Sequence, residues 1–169
     1  MQSKINSNEY NRLSDETKKK LIDRKITEIT DLVPNPIYIK TNNGNNNLSE
    51  YALKQIILNT IDDFLLNLGT GFSYIGNEYK IKIGDRYNYI DLLLFNYIYN
   101  CFVVIELKVV ELKQEHIGQI QTYMAYIDKN LKRIDQDKTI GIIICKKDNK
   151  YIIEYCSDKR IISREYQMI

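Results

Sequence analysis

Residues 89–110, YIDLLLFNYIYNCFVVIELKVV, place three charged side chains, Asp91, Glu106 and Lys108, inside runs that are otherwise apolar. Such runs read as strands covered on both faces, where an uncompensated charge is unfavourable. Side chains alternate along a strand, so Glu106 and Lys108 share a face with Val104 while Ile105 and Leu107 point to the other. A chain reversal around Ile98 and Tyr99 sets Phe95 against Phe102, Leu93 against Val104 and Asp91 against Glu106. Two carboxylates then lie on one face, roughly 5 Å apart. Like charges so placed repel, and burial drives a carboxylate towards its neutral form. A bound divalent cation relieves both effects. The alternative is a structural salt bridge in which Lys108 and a neighbour neutralise the pair, although one lysine does not balance two acids.

The rest of the composition sets limits rather than a function. A chain of 169 residues is long enough for one domain with a sizeable core. A formal charge of +2 permits nucleic-acid binding but does not diagnose it. Cys101, Cys145 and Cys156 are odd in number, widely spaced and set in or beside apolar runs, which reads as buried free thiols in a reducing compartment. The start MQSKINSNEY lacks the apolar core of a signal peptide, and no apolar run approaches the roughly 20 residues needed to span a bilayer. The expectation is a cytoplasmic protein with no membrane partner.

Along the chain, Leu21, Ile22, Ile26, Ile29 and Leu32 recur at helical spacing between Ser14 and Leu32, and Pro34 and Pro36 end that helix. The polar run TNNGNNN marks a boundary between residues 1–47, a helical extension with an Asn-rich linker, and a main domain over residues 48–169. A second helix is predicted from about Leu48 to Leu68, with Leu53, Ile57, Ile61, Phe64, Leu65 and Leu68 on one side and Gly69 and Gly71 ending it. Glu50 falls on that apolar side. It reads either as half of a loosened capping box with Asn47 or as an acid directed at Asp91 and Glu106.

Phe72 to Ile83 alternates like a half-exposed strand, and Gly84 and Asp85 turn it into the central pair. A third helix, about Gln114 to Leu131, buries Ile117, Ile120, Met124, Ile127 and Leu131; His116, Gln119 and Tyr123 project together from another face. His116, taken alone, reads as a surface residue. Thr139 to Cys145 and Tyr151 to Cys156 read as a strand and its return, and Ile161 to Tyr166 as an added edge strand.

The strings FLLNLGTGF, YIDLLLF, CFVVIELK, GQIQTYM and TIGIIICK, in that order, resemble the PD-(D/E)XK nucleases, and within them the YhcG-type branch. The resemblance covers Leu48 to the C-terminus. It implies an α/β, restriction-endonuclease-like core, a central mixed sheet flanked by helices in the order αβββαβ with extra strands. It makes Asp91, Glu106 and Lys108 the signature acids and lysine, and matches Gln119 and Tyr123 to a Q-x-x-x-Y pattern of resolvase-like members. The chain departs from the family pattern at Asn67 (usually Glu), at Val110 (usually Gly) and at Lys54, where an acid is expected. Glu50 is the substitute on helical phase. The larger N-terminal domain typical of the family is replaced by the first 47 residues.

The resemblance implies a metal-dependent endonuclease cutting DNA, with Asp91, Glu106 and the carbonyl of Leu107 holding Mg²⁺ or Mn²⁺. Lys108 then orients the nucleophile or stabilises developing charge, and Gln119 and Tyr123 position the phosphate. Family context points to defence or mobile-element processing. A second reading keeps the fold without the chemistry: a module gripping nucleic acid or a protein partner that replaces the missing domain. A third is a structure-selective resolvase of the Holliday-junction type, working as a homodimer.

Overall fold

The computed structural model describes residues 7–22, 28–41 and 47–169. Helices α1 (Ser7–Asn11), α2 (Asp15–Ile22) and α3 (Ile29–Leu32) lead into strand β1 (Ile37–Ile39). Helices α4 (Glu50–Asn59) and α5 (Ile61–Leu68) precede strands β2 (Phe72–Ile83), β3 (Arg86–Asn96) and β4 (Cys101–Glu111). Helix α6 (Gln114–Asn130), strand β5 (Asp137–Lys147), helix α7 (Lys150–Glu154) and strand β6 (Ile161–Met168) complete the chain. The strands form one six-stranded mixed sheet in the order β1-β6-β5-β4-β3-β2. β2, β3 and β4 run antiparallel, whereas β4, β5, β6 and β1 are parallel.

The apolar runs are explained by two packed faces. Leu92, Leu94, Val103, Ile105, Leu107, Ile142 and Ile144 join Leu53, Ile57, Phe64 and Leu68 on the α4–α5 side. The intervening Leu93, Val104, Ile143 and Cys145 join Ile117, Ile120, Met124 and Ile127 of α6 on the other. All three cysteines are buried free thiols.

The expected register of the central pair is present, with Phe95 opposite Phe102 and Leu93 opposite Val104. Asn96 fixes it from the turn. Its buried side chain donates to the Thr70 carbonyl at 3.0 Å, and its Oδ1 accepts from the Ile98 and Tyr99 N–H groups at 3.0 and 3.1 Å. Gly71, at φ 93°, lies so close that a Cβ there would meet Asn96 Oδ1 at 2.9 Å.

Several local expectations change. The second helix is broken at Thr60, whose φ and ψ of −126° and 38° leave the helical region before acidic Asp62 and Asp63 begin α5. Ser49, not Asn47, caps α4 by accepting from the Ala52 N–H at 3.1 Å. Tyr151 to Cys156 is not a return strand: Asn149 accepts from the Tyr151 N–H at 3.1 Å and caps the short α7. β6 is not at the edge, because β1 pairs parallel beyond it. Of the helix expected from Ser14 to Leu32, the two ends appear as α2 and α3, and residues 23–27 lie outside the described ones.

Described residues before Asn47 are tied to the rest of the fold. Arg164 donates to the carbonyls of Val33 at 3.0 Å and Thr30 at 3.2 Å, and Thr41 N–H donates to the Ile169 carbonyl at 3.1 Å. Further back, Arg12 donates to the Asn67 carbonyl at 3.0 Å, while Glu9 accepts from the N–H and hydroxyl of Thr70 at 3.1 and 2.6 Å.

Helix α6 lies against β5 at Gly141, where a Cβ would stand 2.5 Å from Met124 Sδ and 3.0 Å from Ile120 Cδ1. Substituting Gly141→Ala is therefore expected to lower stability by about 1–3 kcal/mol through overpacking, read from the urea midpoint. An unchanged midpoint would contradict this account of how α6 is seated.

Candidate active site

The site forms where β3 separates from β4. The last ladder pair towards it is Leu92 with Ile105, and the next residue of β3 is Asp91. Alternation breaks there too: Ile90 packs with the α6 cluster and Leu92 with the α4–α5 cluster, although they are two positions apart. Side chains take over the bonds that the diverging backbones no longer exchange. Asp91 Oδ2 accepts from the Leu107 N–H at 2.8 Å, and Glu106 Oε1 accepts from the Asp91 N–H at 3.2 Å.

Glu106 is 4% exposed. Burial, followed by the charge of Asp91, raises its carboxyl well above the ordinary carboxylate range, against a smaller lowering by Lys108. The paired acids were legible in the sequence; the ammonium that partners Asp91 was not. Lys54 of α4, with a side chain 7% exposed, donates to Asp91 Oδ1 at 3.0 Å and to Glu78 of β2. Burial works against its charge, but the hydrogen bonds to Glu78 and Asp91 outweigh it and raise its pKa overall. Glu78 stands between the ladder pairs Asn77–Leu92 and Tyr79–Ile90, opposite Asp91. Its φ of 47° is left-handed, unusual for a residue with a side chain, and accompanies its reach to Lys54.

Lys108 is half-buried on the same strand as Glu106 and makes no ion pair among the described residues. From α6, Gln119 Nε2 donates to the Tyr123 hydroxyl at 3.2 Å. Tyr123 is buried, and burial together with the charges of Glu106 and Asp91 raises its pKa, so its phenol holds its proton. His116 is buried rather than on the surface. Its Nδ1 accepts from the Lys113 N–H at 3.0 Å, and burial, with Lys108 nearby, lowers its pKa. Glu50 begins α4, half-buried, and enters none of the hydrogen bonds or ion pairs that hold the site. The helix position that reaches Asp91 is Lys54, one turn further on. Asn67 lies on α5, where Nδ2 donates to the Asp63 carbonyl at 2.9 Å, and Val110 is exposed near the end of β4.

Among the described residues, no three His, Cys, Asp or Glu side chains form a ready-made cation cage. The donor chemistry nevertheless suits a hard divalent ion: two carboxylates adjoin, linked through the Asp91 and Leu107 N–H groups. Glu78 is the third acid nearby, separated from Asp91 by the Lys54 ammonium.

A mixed sheet whose central antiparallel pair opens to present Asp91, Glu106 and Lys108 defines a restriction-endonuclease-like, PD-(D/E)XK-type nuclease fold. The chain belongs to the YhcG PDDEXK nuclease domain family, whose model matches residues 31–169. It is 26% identical over 123 residues to the Escherichia coli (strain K12) protein named "Putative nuclease YhcG", a stretch covering 71% of this chain and 33% of that protein. Thus the chain spans about a third of that relative's length. Among solved structures it is similar to a repair endonuclease from Pyrococcus abyssi, with a TM-score of 0.47, 16% identity, and 75% and 49% of the two chains covered. It is also similar to EndoMS in apo form, with a TM-score of 0.46, 19% identity, and 73% and 47% covered. No helix among the described residues is long and apolar enough to cross a membrane.

If Lys54 is the counter-charge of Asp91, Lys54→Met should destabilise the metal-free protein by roughly 3 kcal/mol, because it leaves the Asp91 carboxylate, largely removed from water, without its ion pair. Glu78→Gln should cost less than about 1 kcal/mol, since Glu78 is half exposed. Urea denaturation in EDTA measures both, and equal effects would contradict the assignment.

Proposed function

We propose that this domain is a metal-dependent endonuclease that hydrolyses phosphodiester bonds in DNA. The observation that carries the reading is the adjoining of Asp91 and the buried Glu106 at the opening of β3 from β4, with Lys108 on the same strand as Glu106. DNA as substrate, and a role in defence or mobile-element processing, follow from the family expectation rather than from any base-reading element.

Asp91, Glu106 and the Leu107 carbonyl would hold Mg²⁺, with Mn²⁺ able to substitute. When bound, the ion supplies an activated water and neutralises charge building on the phosphate. The side chains do the rest. Asp91 and Glu106 would hold the ion through their carboxylate oxygens, and Asp91 Oδ1 is the oxygen that accepts from Lys54. Lys108, free of an ionic partner among the described residues, orients the nucleophile or meets the developing charge on the phosphate. Tyr123 keeps its proton and so acts as a hydrogen-bond donor, and Gln119, which cannot titrate, positions both phenol and phosphate. Glu50 has the smaller part, favouring the start of α4 through its charge near the helix dipole. We place the body of the nuclease domain in residues 48–169, with β1 of the preceding segment completing its sheet beside β6 and the residues before β1 as an N-terminal extension.

One observation favours the reading of a catalytically silent module that grips nucleic acid or a protein partner: Lys54 already supplies the site with a cation. Incubation with supercoiled plasmid separates the two. The nuclease reading predicts nicking that requires Mg²⁺ or Mn²⁺, stops in EDTA, and falls by roughly 10²–10³-fold in Glu106→Ala and Lys108→Ala. Absence of cutting by the well-folded wild type, on plasmid and branched DNA alike, would favour the silent module. Paired cuts confined to four-way junctions would identify the resolvase and its homodimer.

A further inference from the structure

The β2–β3 hairpin reaches beyond the sheet. β2 and β3 pair through to Ile83 and Arg86, whereas β4 pairs with β3 only from Leu92 onward. The projecting part is covered on one face, where Ile81 and Ile90 are buried in the α6 cluster. Its other face is bare. The register sets Lys80 opposite Tyr89 and Lys82 opposite Tyr87, so these four side chains share the face opposite Ile81 and Ile90.

That face has an ordered pattern of cations and rings. Lys80 Nζ lies 4.0 Å from the centre of the Tyr87 ring and Lys82 Nζ 5.7 Å from it. Tyr87 and Tyr89 are 55% and 49% exposed, and both lysines are exposed. The nearby acids are Asp85 at the tip, beside Arg86, and Glu78, which is held by Lys54. Tyr89 is two residues from Asp91, about 7 Å along the strand. By the alternation of β3, the bare face leads towards Asp91, the acid held by Lys54 of α4.

We propose that this face of the hairpin is the surface along which the DNA substrate lies as it enters the site: Lys80 and Lys82 meet phosphates, and Tyr87 and Tyr89 stack against sugar or base. The proposal rests on the nuclease reading for its ligand but not for its measurement. Lysines alternating with half-exposed aromatic rings suit a polyanion with flat bases.

The test is fluorescence anisotropy in EDTA, with labelled single-stranded and duplex DNA over a salt series. Wild type is compared with Lys80→Ala/Lys82→Ala, Tyr87→Ala/Tyr89→Ala and a control, Lys129→Ala/Lys138→Ala, at the opposite end of the sheet. Unchanged melting curves establish that the variants fold. The lysine variant is expected to bind at least tenfold more weakly and to lose roughly 1–2 from its log–log salt slope, at about 0.9 per phosphate contact. The tyrosine variant should lose affinity, most on single strands, at an unchanged slope, and the control should match wild type. Wild-type binding that both hairpin variants retain in full overturns the hairpin surface and leaves the nuclease reading standing. Binding lost only in the hairpin variants, in a protein that never cuts plasmid, supports the surface and sinks the nuclease instead. Absence of wild-type DNA binding overturns the proposed surface, and a protein that captures another protein through this hairpin is then the remaining occupant.

Discussion

Asp91 stands where two strands of a continuous sheet part, and its carboxylate holds the parting in place. One oxygen accepts from the Leu107 N–H, and the other accepts from the Lys54 ammonium. Remove that carboxylate and the Leu107 N–H and the Lys54 ammonium each lose a partner in a setting where unsatisfied groups are unfavourable. The same opening lets Glu106 turn towards Asp91 instead of joining the α6 core. An unavoidable structural feature, the end of a ladder, thus becomes a cluster of charge beside solvent.

Lys54 gives this domain its particular electrostatic character. A buried lysine between two carboxylates reduces repulsion in the metal-free protein, yet Glu106 still holds its proton more tightly than an ordinary carboxyl because burial and Asp91 act together. The site is therefore partly compensated. A divalent ion bound there, as proposed, would share Asp91 with an ammonium that has a second acceptor, Glu78. Glu78 makes this contact from a left-handed backbone position on β2.

Much of this was legible in the chain. The alternation in LLLF and FVVIELK set the register and both packed faces, and the charges within them marked the site. Lys54 was not legible, because a lysine beside Leu53 in an amphipathic helix looks like a boundary residue, and its partners come from distant strands. Glu78 depends on a kink that composition does not encode. His116 looked like a lone surface histidine, yet its ring is buried and accepts a backbone N–H at the start of α6. YIIEYC alternates well enough for a strand, but the local bond from Tyr151 N–H to Asn149 caps it as the start of α7. In IYI between a proline and a polar linker, three residues are too few to announce β1, which exists because β6 offers it an edge.

The claim on which the account turns is that Asp91 and Glu106 together form a divalent-cation site. Calorimetric titration of the metal-free protein with Mn²⁺ tests it directly. The account predicts saturable binding that Glu106→Gln abolishes and that weakens as pH falls, because protons compete for a carboxyl whose pKa is already raised. A well-folded wild type that takes up no Mn²⁺, or one whose binding survives Glu106→Gln unchanged, would contradict it.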